Sequence, residues 1–306
     1  MSNNITYASK LTEQLDKMFV QSAVTGFLTD NALRAKFVGA HTVLIPEMDM
    51  VGLGDYDRSA GFADGSVSVT NSPFTLSQDR GRSFMLDAQD EDETGVANLA
   101  GQVLGEFVRT KVVPEVDAYC LSKLAGAAQT ANQTAKLGDG KTIANGVFAL
   151  IQNLISKVRD NVGYDEALVA FLDPTVHDAL MATPEISRHI RMDEFKKGEL
   201  TTRVKFIDNV AILPVPSARM KTEYVFFDGA TEGETDGGFK PAVAAKSIGA
   251  LVMPKKGASL VRKTEKVRTF SPDQNQKADA YKFDYRLYYD LLVKKSQIPG
   301  IYTYTY

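Results

Sequence analysis

The amino-acid sequence predicts an α+β fold from three observations. Residues 87–128 carry apolar side chains three or four positions apart, which is typical of a helix that buries one broad face. Residues 281–289 alternate apolar or aromatic residues with charged ones, which is typical of a strand. Between these two stretches, helical and strand patterns intermix without the regular strand–helix–strand order of a parallel sheet, so the class is α+β.

The long helix is predicted to begin at a group of carboxylates and to bend in its middle. Asp87 and the four acids Asp90–Glu93 crowd its start, where the positive end of a helix favours negative charge. Pro114 lies inside the apolar pattern, lacks an N–H and crowds the preceding turn, which predicts a bend or two abutting helices. We expect this element to act as a strut along which the others pack.

The residues before the strut predict a thin front half. An amphipathic helix is predicted for Tyr7–Val20, and no neighbouring segment of the sequence covers its apolar side. Residues 37–46 are predicted to form a strand, and a glycine-rich, extended stretch follows it. Residues 56–86 alternate around two turns, which predicts a long β-hairpin or loop that projects from the body and needs a partner surface.

The residues after the strut predict a second, mixed region. Residues 129–141 form a small, polar linker. The elements predicted beyond it are a helix over 147–158 ended by Gly163, a buried strand at Ala167–Leu172, helices opened by Asp173-Pro174 and Thr183-Pro184, a hairpin around Asp208-Asn209, a strand at Tyr224–Phe227, a mobile loop at Asp228–Gly238 and a strand in the tail at 301–306.

Composition excludes several classes of function. A net charge of −3 and a pI near 5.7 argue against a dedicated nucleic-acid binder, which carries a concentrated basic face. No apolar run approaches the ~18 residues of a membrane-spanning helix. The lone Cys120 lies on the apolar face of the strut and is interpreted as a packed thiol. The basic stretch 254–270 is either a solvated strand and turn or a contact with phosphate or a neighbouring subunit.

No motif for catalysis, cofactor or metal binding stands out. The sequence Gly138–Thr142 ends like a phosphate loop, but Ala135 stands where the first glycine should be. The three histidines are scattered, and neither a zinc-binding spacing nor a nucleophile elbow is present. We therefore predict no catalytic residue, no cofactor and no metal, and we do not expect an enzyme.

Four stretches carry a resemblance to a known family: Val43–Pro46, Gly52–Arg58, Asp79–Phe84 and Asp87–Thr94. In kind and order they resemble stretches of the major capsid proteins of tailed bacteriophages, whose icosahedral shell fold is shared with encapsulins, and the resemblance covers nearly the whole chain. It implies an N-terminal arm (1–49), an extended β-hairpin loop (50–86), a peripheral domain with a long spine helix (87–130), an axial domain (131–254) and peripheral return strands (255–306).

The resemblance also implies a function. A protein of this kind is a structural protein that self-assembles into the hexamers and pentamers of a phage head, which encloses double-stranded DNA. The implied location is the virion, after synthesis in the cytoplasm of the host bacterium. The implied partners are copies of the same chain, a separate scaffolding protein, a portal, decoration proteins and packaged DNA contacted without sequence reading, with no membrane.

Contacts between subunits are expected where thin segments cannot bury their own apolar side chains, and at the arginines and lysines beside them. The candidate contact residues are Leu11, Leu15, Phe19, Tyr56, Arg58, Phe62, Phe74, Arg80, Arg82, Phe84, Lys255, Lys256, Arg262 and Lys263.

The chain departs from some relatives in two ways. Certain members join a lysine of the extended loop to an asparagine of a neighbour, but no lysine occurs between Gly52 and Asp92, so this loop cannot make that bond. The chain also lacks a long, charged, helical front extension, which predicts a separate scaffolding protein. Two alternatives remain at this point: an encapsulin-like nanocompartment shell protein, and a soluble α+β enzyme that uses convergent carboxylates.

Overall fold

The structure is a computed structural model, and it describes residues 3–29, 36–38, 42–56, 58, 61–62, 64–87, 99–184, 190–197, 200–264 and 267–306. The α-helices in these ranges are α1 (Asn3–Ser22), α2 (Leu99–Phe107), α3 (Val113–Thr130), α4 (Ile143–Val162) and α5 (Pro174–Ala182). The strands are β1 (Lys36–Val38), β2 (Thr42–Met50), β3 (Val67–Thr75), β4 (Gln78–Asp87), β5 (Thr134–Ala135), β6 (Leu168–Leu172), β7 (Ile190–Lys197), β8 (Leu200–Ile207), β9 (Val210–Pro214), β10 (Tyr224–Phe226), β11 (Phe239–Pro241), β12 (Ile248–Pro254), β13 (Ala258–Thr264), β14 (Arg268–Phe270), β15 (Ala280–Val293) and β16 (Tyr302–Thr305). In these same ranges, no helix combines the length and the apolar character that a membrane crossing requires.

The strut consists of α2 and α3 joined by a π-helical turn, Val108–Val112. The Val113 N–H donates to the carbonyl of Val108, five residues back, and Pro114 follows in the first turn of α3 without an N–H to donate. The prediction of two abutting helices is therefore confirmed. The predicted acidic start is wrong for Asp87, which is the last residue of strand β4, and Asp90–Glu93 lie outside the described residues.

A seven-stranded mixed sheet forms the centre of the molecule, in the order β5-β16-β12-β6-β9-β8-β7. Alternate residues of its central strand point to opposite sides, as the two-residue period of a strand requires. Val169 and Phe171 of β6 join the core that contains α1 and α3, whereas Leu168, Ala170 and Leu172 join the core under α4 and α5. This fully buried strand confirms the prediction for Ala167–Leu172.

The second sheet is built around the long strand β15. One edge of β15 pairs with β13 and β14, and the other pairs antiparallel with β4, from Ala280↔Asp87 to Tyr289↔Gln78. Strand β3 pairs instead with β2, from Thr42↔Thr75 to Met50↔Val67. The prediction of a single hairpin over 56–86 is therefore wrong. The projecting ribbon is β2–β3, and β4 belongs to the body because β15 supplies its partner.

Helix α1 packs onto its own chain. Leu15 and Phe19 are 2% and 1% exposed and lie in the core that contains the strut. The helices approach closely because Gly105 of α2 has no side chain; a Cβ there would lie 3.1 Å from Cε of Met18. The expectation that Leu15 and Phe19 find their contacts on other copies is therefore wrong, and the side chain of Leu11 lies outside the described residues.

Local signals in the second region agree with the structure. Gly163 ends α4 with φ 87°, and the Asp173 carboxylate accepts the Thr175 N–H at 3.2 Å to cap α5. Asp208 and Asn209 have φ of 47° and 66°, as a tight turn between β8 and β9 requires.

The helix predicted after Thr183-Pro184 lies largely outside the described residues. Strand β16 pairs with β12, so the chain end joins the seven-stranded sheet rather than the β15 sheet.

Candidate intersubunit surface and the base of the hairpin

The β2–β3 ribbon has one apolar and one polar face. Met48 lies directly opposite Val69, and Met50 directly opposite Val67, so the four side chains share one face. They are 63%, 59%, 64% and 64% exposed, respectively. The intervening positions of β3, Ser68 and Thr70, are polar and also exposed. We call the four apolar residues the apolar ribbon face, and no described residue covers them.

The connection between β2 and β3 adds further exposed apolar groups. The rings of Tyr56 and Phe62 are 60% and 86% exposed and contact each other, with centroids 4.9 Å apart. Leu53 is fully exposed, and Arg58 is exposed beside these rings in sequence. Strand β1 pairs with β2 only from Thr42 to Leu44, so these groups lie where the ribbon has two strands. Such a concentration of exposed apolar surface marks an interaction surface.

The base of the ribbon is fixed by the buried carboxylate of Asp290. It accepts hydrogen bonds from the Ser77 N–H at 3.2 Å and from the Tyr119 hydroxyl at 2.8 Å, and it pairs with the Lys123 ammonium. Burial disfavours the charge on Lys123, but the hydrogen bond and charge of Asp290 outweigh burial and raise the pKa of Lys123. The ring of Phe74 lies 5.6 Å from the Lys123 ammonium.

A second fixed point lies three residues further along, at Arg80 of β4. Its guanidinium binds the Glu115 carboxylate through both oxygens, at 2.7 and 3.2 Å. It also donates to the carbonyls of Phe227 at 2.6 Å and Gly238 at 3.3 Å. Burial disfavours the charged form of Arg80, but the hydrogen bond to Glu115 and its negative charge favour it, and the pKa of Arg80 is raised. Arg82, two residues on, donates to the Thr235 carbonyl at 3.0 Å.

The residues of α3 that hold the hairpin form one row. Glu115, Tyr119 and Lys123 are four positions apart, which aligns them along one side of the helix. The sequence analysis did not identify this row. The available signal was a polar i, i+4, i+8 series in an otherwise apolar helix.

Asp117 anchors the end of the N-terminal segment to the strut. Its carboxylate is fully buried and accepts from the Val24 N–H at 3.1 Å, the Thr25 N–H at 2.9 Å and the Thr25 hydroxyl at 2.6 Å. The Arg219 guanidinium donates to the same carboxylate at 3.0 Å. This residue was also missed, although an acid between Val116 and Ala118 in an apolar stretch is itself a signal.

The predicted contact residues divide into two groups. Tyr56, Arg58, Phe62 and Lys256 are exposed and available to a neighbour. The side chains that contact their own chain are Phe74 at Lys123, Arg80 at Glu115, Arg82 at Thr235, Phe84 at Phe107 and Lys255 at Phe195, and Lys263 is half-buried in β13.

Arg262 corrects the prediction most clearly. Its side chain is 7% exposed, it pairs with Asp16 at 3.3 Å, and its guanidinium lies 4.1 Å from the centroid of the Phe19 ring. Burial lowers the pKa of Arg262 below its ordinary value. It therefore fastens α1 to β13 and offers no free surface to another copy.

The described part of the chain holds no group of three or more His, Cys, Asp or Glu residues placed to bind a metal ion. Burial also raises the pKa of the Cys120 thiol, which leaves it uncharged inside the core.

Comparison with known proteins places the chain by its fold. No family model matches the sequence, and the search of curated proteins found no significant match. The capsid structure of Cyanophage P-SCSP1u matches with a TM-score of 0.55 and 11% identity, over 89% of this chain and 85% of that chain. A structure from Mycobacterium phage Che8 matches at TM-score 0.52 and 11% identity, over 87% and 84%. The mature capsid of bacteriophage PhiM1 matches at TM-score 0.50 and 15% identity, over 87% and 82%. The chain therefore has the phage major capsid fold, as the resemblance implied.

Proposed function

We propose that the chain is the major capsid protein of a bacteriophage and that its copies assemble into hexamers and pentamers of an icosahedral head around double-stranded DNA. The observation that carries this proposal is the apolar ribbon face, uncovered in a chain with a capsid fold. The finer partners, namely a scaffolding protein, a portal and decoration proteins, belong to the same proposal.

The ribbon supports assembly because its two ends have different properties. Its base is held to the strut by Asp290 and Arg80, so its direction is set by the body. Its far end exposes apolar groups that gain about 25 cal/mol for each Å² of apolar surface buried. A neighbouring copy is the partner that every copy meets in a symmetric shell, and each contact is then repeated around the shell.

Contact with DNA would be non-specific. The net charge of −3 argues against tight binding driven by charge. Enclosure of the genome therefore rests on the closed geometry of the shell and not on base recognition.

Two single substitutions one residue apart test the proposal. Val69→Lys places a charge on the apolar ribbon face, whereas Thr70→Lys places the same charge on the opposite, polar face. We expect the wild-type chain and Thr70→Lys to elute as capsomers or megadalton particles. We expect Val69→Lys to elute as a 33.4 kDa monomer with the thermal transition of the dissociated wild-type chain. A wild-type chain that elutes as a monomer, or a Val69→Lys chain that assembles normally, contradicts the proposal.

A further inference from the structure

The loop between β10 and β11, residues 227–238, forms one wall of a groove. The loop closes on itself where the Phe227 N–H donates to the Gly238 carbonyl at 2.9 Å. The groove holds about 730 Å³ and lies between this loop, helix α3 and the β4–β15 sheet. Tyr289 is one of the residues that line the groove, and its buried hydroxyl has no hydrogen-bond partner among the described residues. The loop and this unpaired polar group therefore belong to the same groove.

Two arginines of one strand hold this loop. Arg80 bridges Glu115 of α3 to the carbonyls of Phe227 and Gly238, which are the two ends of the loop. Arg82 reaches the Thr235 carbonyl near the loop's middle. The side chains of Arg80 and Glu115 are only 24% and 13% exposed, so water replaces these hydrogen bonds poorly when they break.

Strand β4, which carries both arginines, follows the β2–β3 hairpin after a very short connection. Only Leu76 and Ser77 separate β3 from β4, and both are fixed: Leu76 is 6% exposed, and the Ser77 N–H is bound by Asp290. Because this connection is so short, a tilt of the ribbon large enough to break the bond between Ser77 and Asp290 displaces the start of β4, where Arg80 and Arg82 lie.

We propose that Arg80 and Arg82 act as a relay that makes the position of loop 227–238 and the orientation of the β2–β3 hairpin depend on each other. When β4 shifts so that Arg80 leaves Glu115, the loop ends lose their common donor and the groove opens at Tyr289. When the loop is displaced, Arg80 loses two of its three acceptors, the carbonyls of Phe227 and Gly238. Coupling of this kind is reciprocal by thermodynamic necessity. The inference rests on the proposed function in one respect, because docking to a neighbouring copy is what would move the β2–β3 hairpin. The coupling between hairpin and loop lies within a single chain.

Hydrogen exchange on the dissociated chain tests the coupling without assembly. Arg80→Lys keeps the charge but loses the planar fork that bridges three acceptors. We expect exchange of the 227–238 amides to rise about tenfold, the change that a lost hydrogen bond of ordinary strength gives. Arg82→Lys is the second variant, with a smaller rise confined to residues near Thr235. Arg109→Lys is the matched control, because Arg109 pairs with the exposed Glu106 and, among the described residues, with no part of the loop, so its loss should leave the loop unchanged.

A change made in the loop and measured at β4 tests whether the coupling acts in both directions. Shortening the loop by removal of residues 230–236 is expected to raise exchange in the peptide 76–84 severalfold, while the buried strand β6 stays protected. Exchange in 76–84 that does not change overturns the relay, and so does an increase that extends equally to β6, because it reports global destabilisation. A chain that fails to assemble but shows both effects contradicts the proposed function and leaves the relay standing.

Discussion

The buried carboxylate of Asp117 allows the most quantitative test of the structure. Asp117→Ala removes the acceptor shared by the Val24 and Thr25 N–H groups, the Thr25 hydroxyl and the Arg219 guanidinium. Val24 and Thr25 lie at the end of the N-terminal segment, and Arg219 lies on a short turn after β9. The substitution therefore tests whether the front segment belongs to the folded body.

The expected loss follows from the burial of the groups left behind. Asp117 is fully buried and Thr25 is 0% exposed, so its two donors stay without water after the substitution. Each such donor costs about 1–3 kcal/mol. Arg219 is 20% exposed and recovers part of its hydration, so its share is small. The two Thr25 donors alone therefore predict a fall of about 2–6 kcal/mol in the free energy of unfolding.

Urea unfolding of the dissociated chain at pH 7, followed by circular dichroism, measures this loss. Thr25→Val removes one hydroxyl bond and should cost about 1 kcal/mol. Lys17→Ala, which breaks an exposed pair with Glu13, should change stability by less than about 1 kcal/mol. A loss below about 1 kcal/mol for Asp117→Ala would refute the reasoning, because it would mean that water or another group satisfies these donors.

Three further predictions concern the core, the groove and the assembled particle. Phe19→Ala should lower the free energy of unfolding of the dissociated chain by about 3–5 kcal/mol, because the ring is buried and supports the Arg262 guanidinium. Tyr289→Phe should leave that free energy unchanged or raise it by about 1 kcal/mol, because it removes a buried hydroxyl without a partner among the described residues. Boiling in SDS should release a single band of 33.4 kDa, because no lysine lies between Gly52 and Asp92.

The Tyr289 variant also tests pH dependence. Burial raises the pKa of Tyr289 well above its ordinary value, so the folded chain keeps a proton that the unfolded chain releases near pH 10. Below pH 10 both states keep the proton and the free energy of unfolding does not change. Above pH 10 the unfolded chain alone releases it, so the free energy of unfolding falls as pH rises. Tyr289→Phe should therefore weaken the alkaline fall in unfolding free energy by about 1.4 kcal/mol per pH unit, measured by urea titrations between pH 9.5 and 11.

Each of these outcomes has a clear contrary result. If Phe19→Ala weakened only the assembled particle and left the unfolding free energy of the dissociated chain unchanged, α1 would depend on neighbouring copies for its contacts. Tyr289→Phe that destabilises by more than about 2 kcal/mol would show that its hydroxyl has a partner. A ladder of covalent multimers in SDS would reveal cross-linking chemistry outside the extended loop.

The sequence was sufficient for features that depend on local chemistry. Pro114 predicted the break in the strut, Gly163 predicted the end of α4, and Asp208-Asn209 predicted a tight turn, because each residue acts on its own backbone. The apolar period of α4 and the continuous run in β6 depend on burial alone and were predicted for the same reason.

The features that the sequence did not predict depend on partners far along the chain. Alternation in residues 67–86 shows two strands but not which strands they pair with, and β15 lies about two hundred residues from β4. Likewise, the apolar side of α1 is covered by elements that its sequence neighbourhood does not contain. Asp117 and the row Glu115, Tyr119 and Lys123 require their remote partners to be known before their roles can be assigned.

The π-helical turn at Val108–Val112 sets where the strut can lose a residue. A wide turn of this kind accommodates one extra residue while the helical faces on either side keep their phase. Arg109, Thr110 and Lys111 are exposed there, so deletion of one of them would give a regular helix without moving a buried side chain to the surface. The strut should therefore tolerate the loss of one residue in this turn, whereas a one-residue deletion within α3 would rotate its buried side chains away from the core.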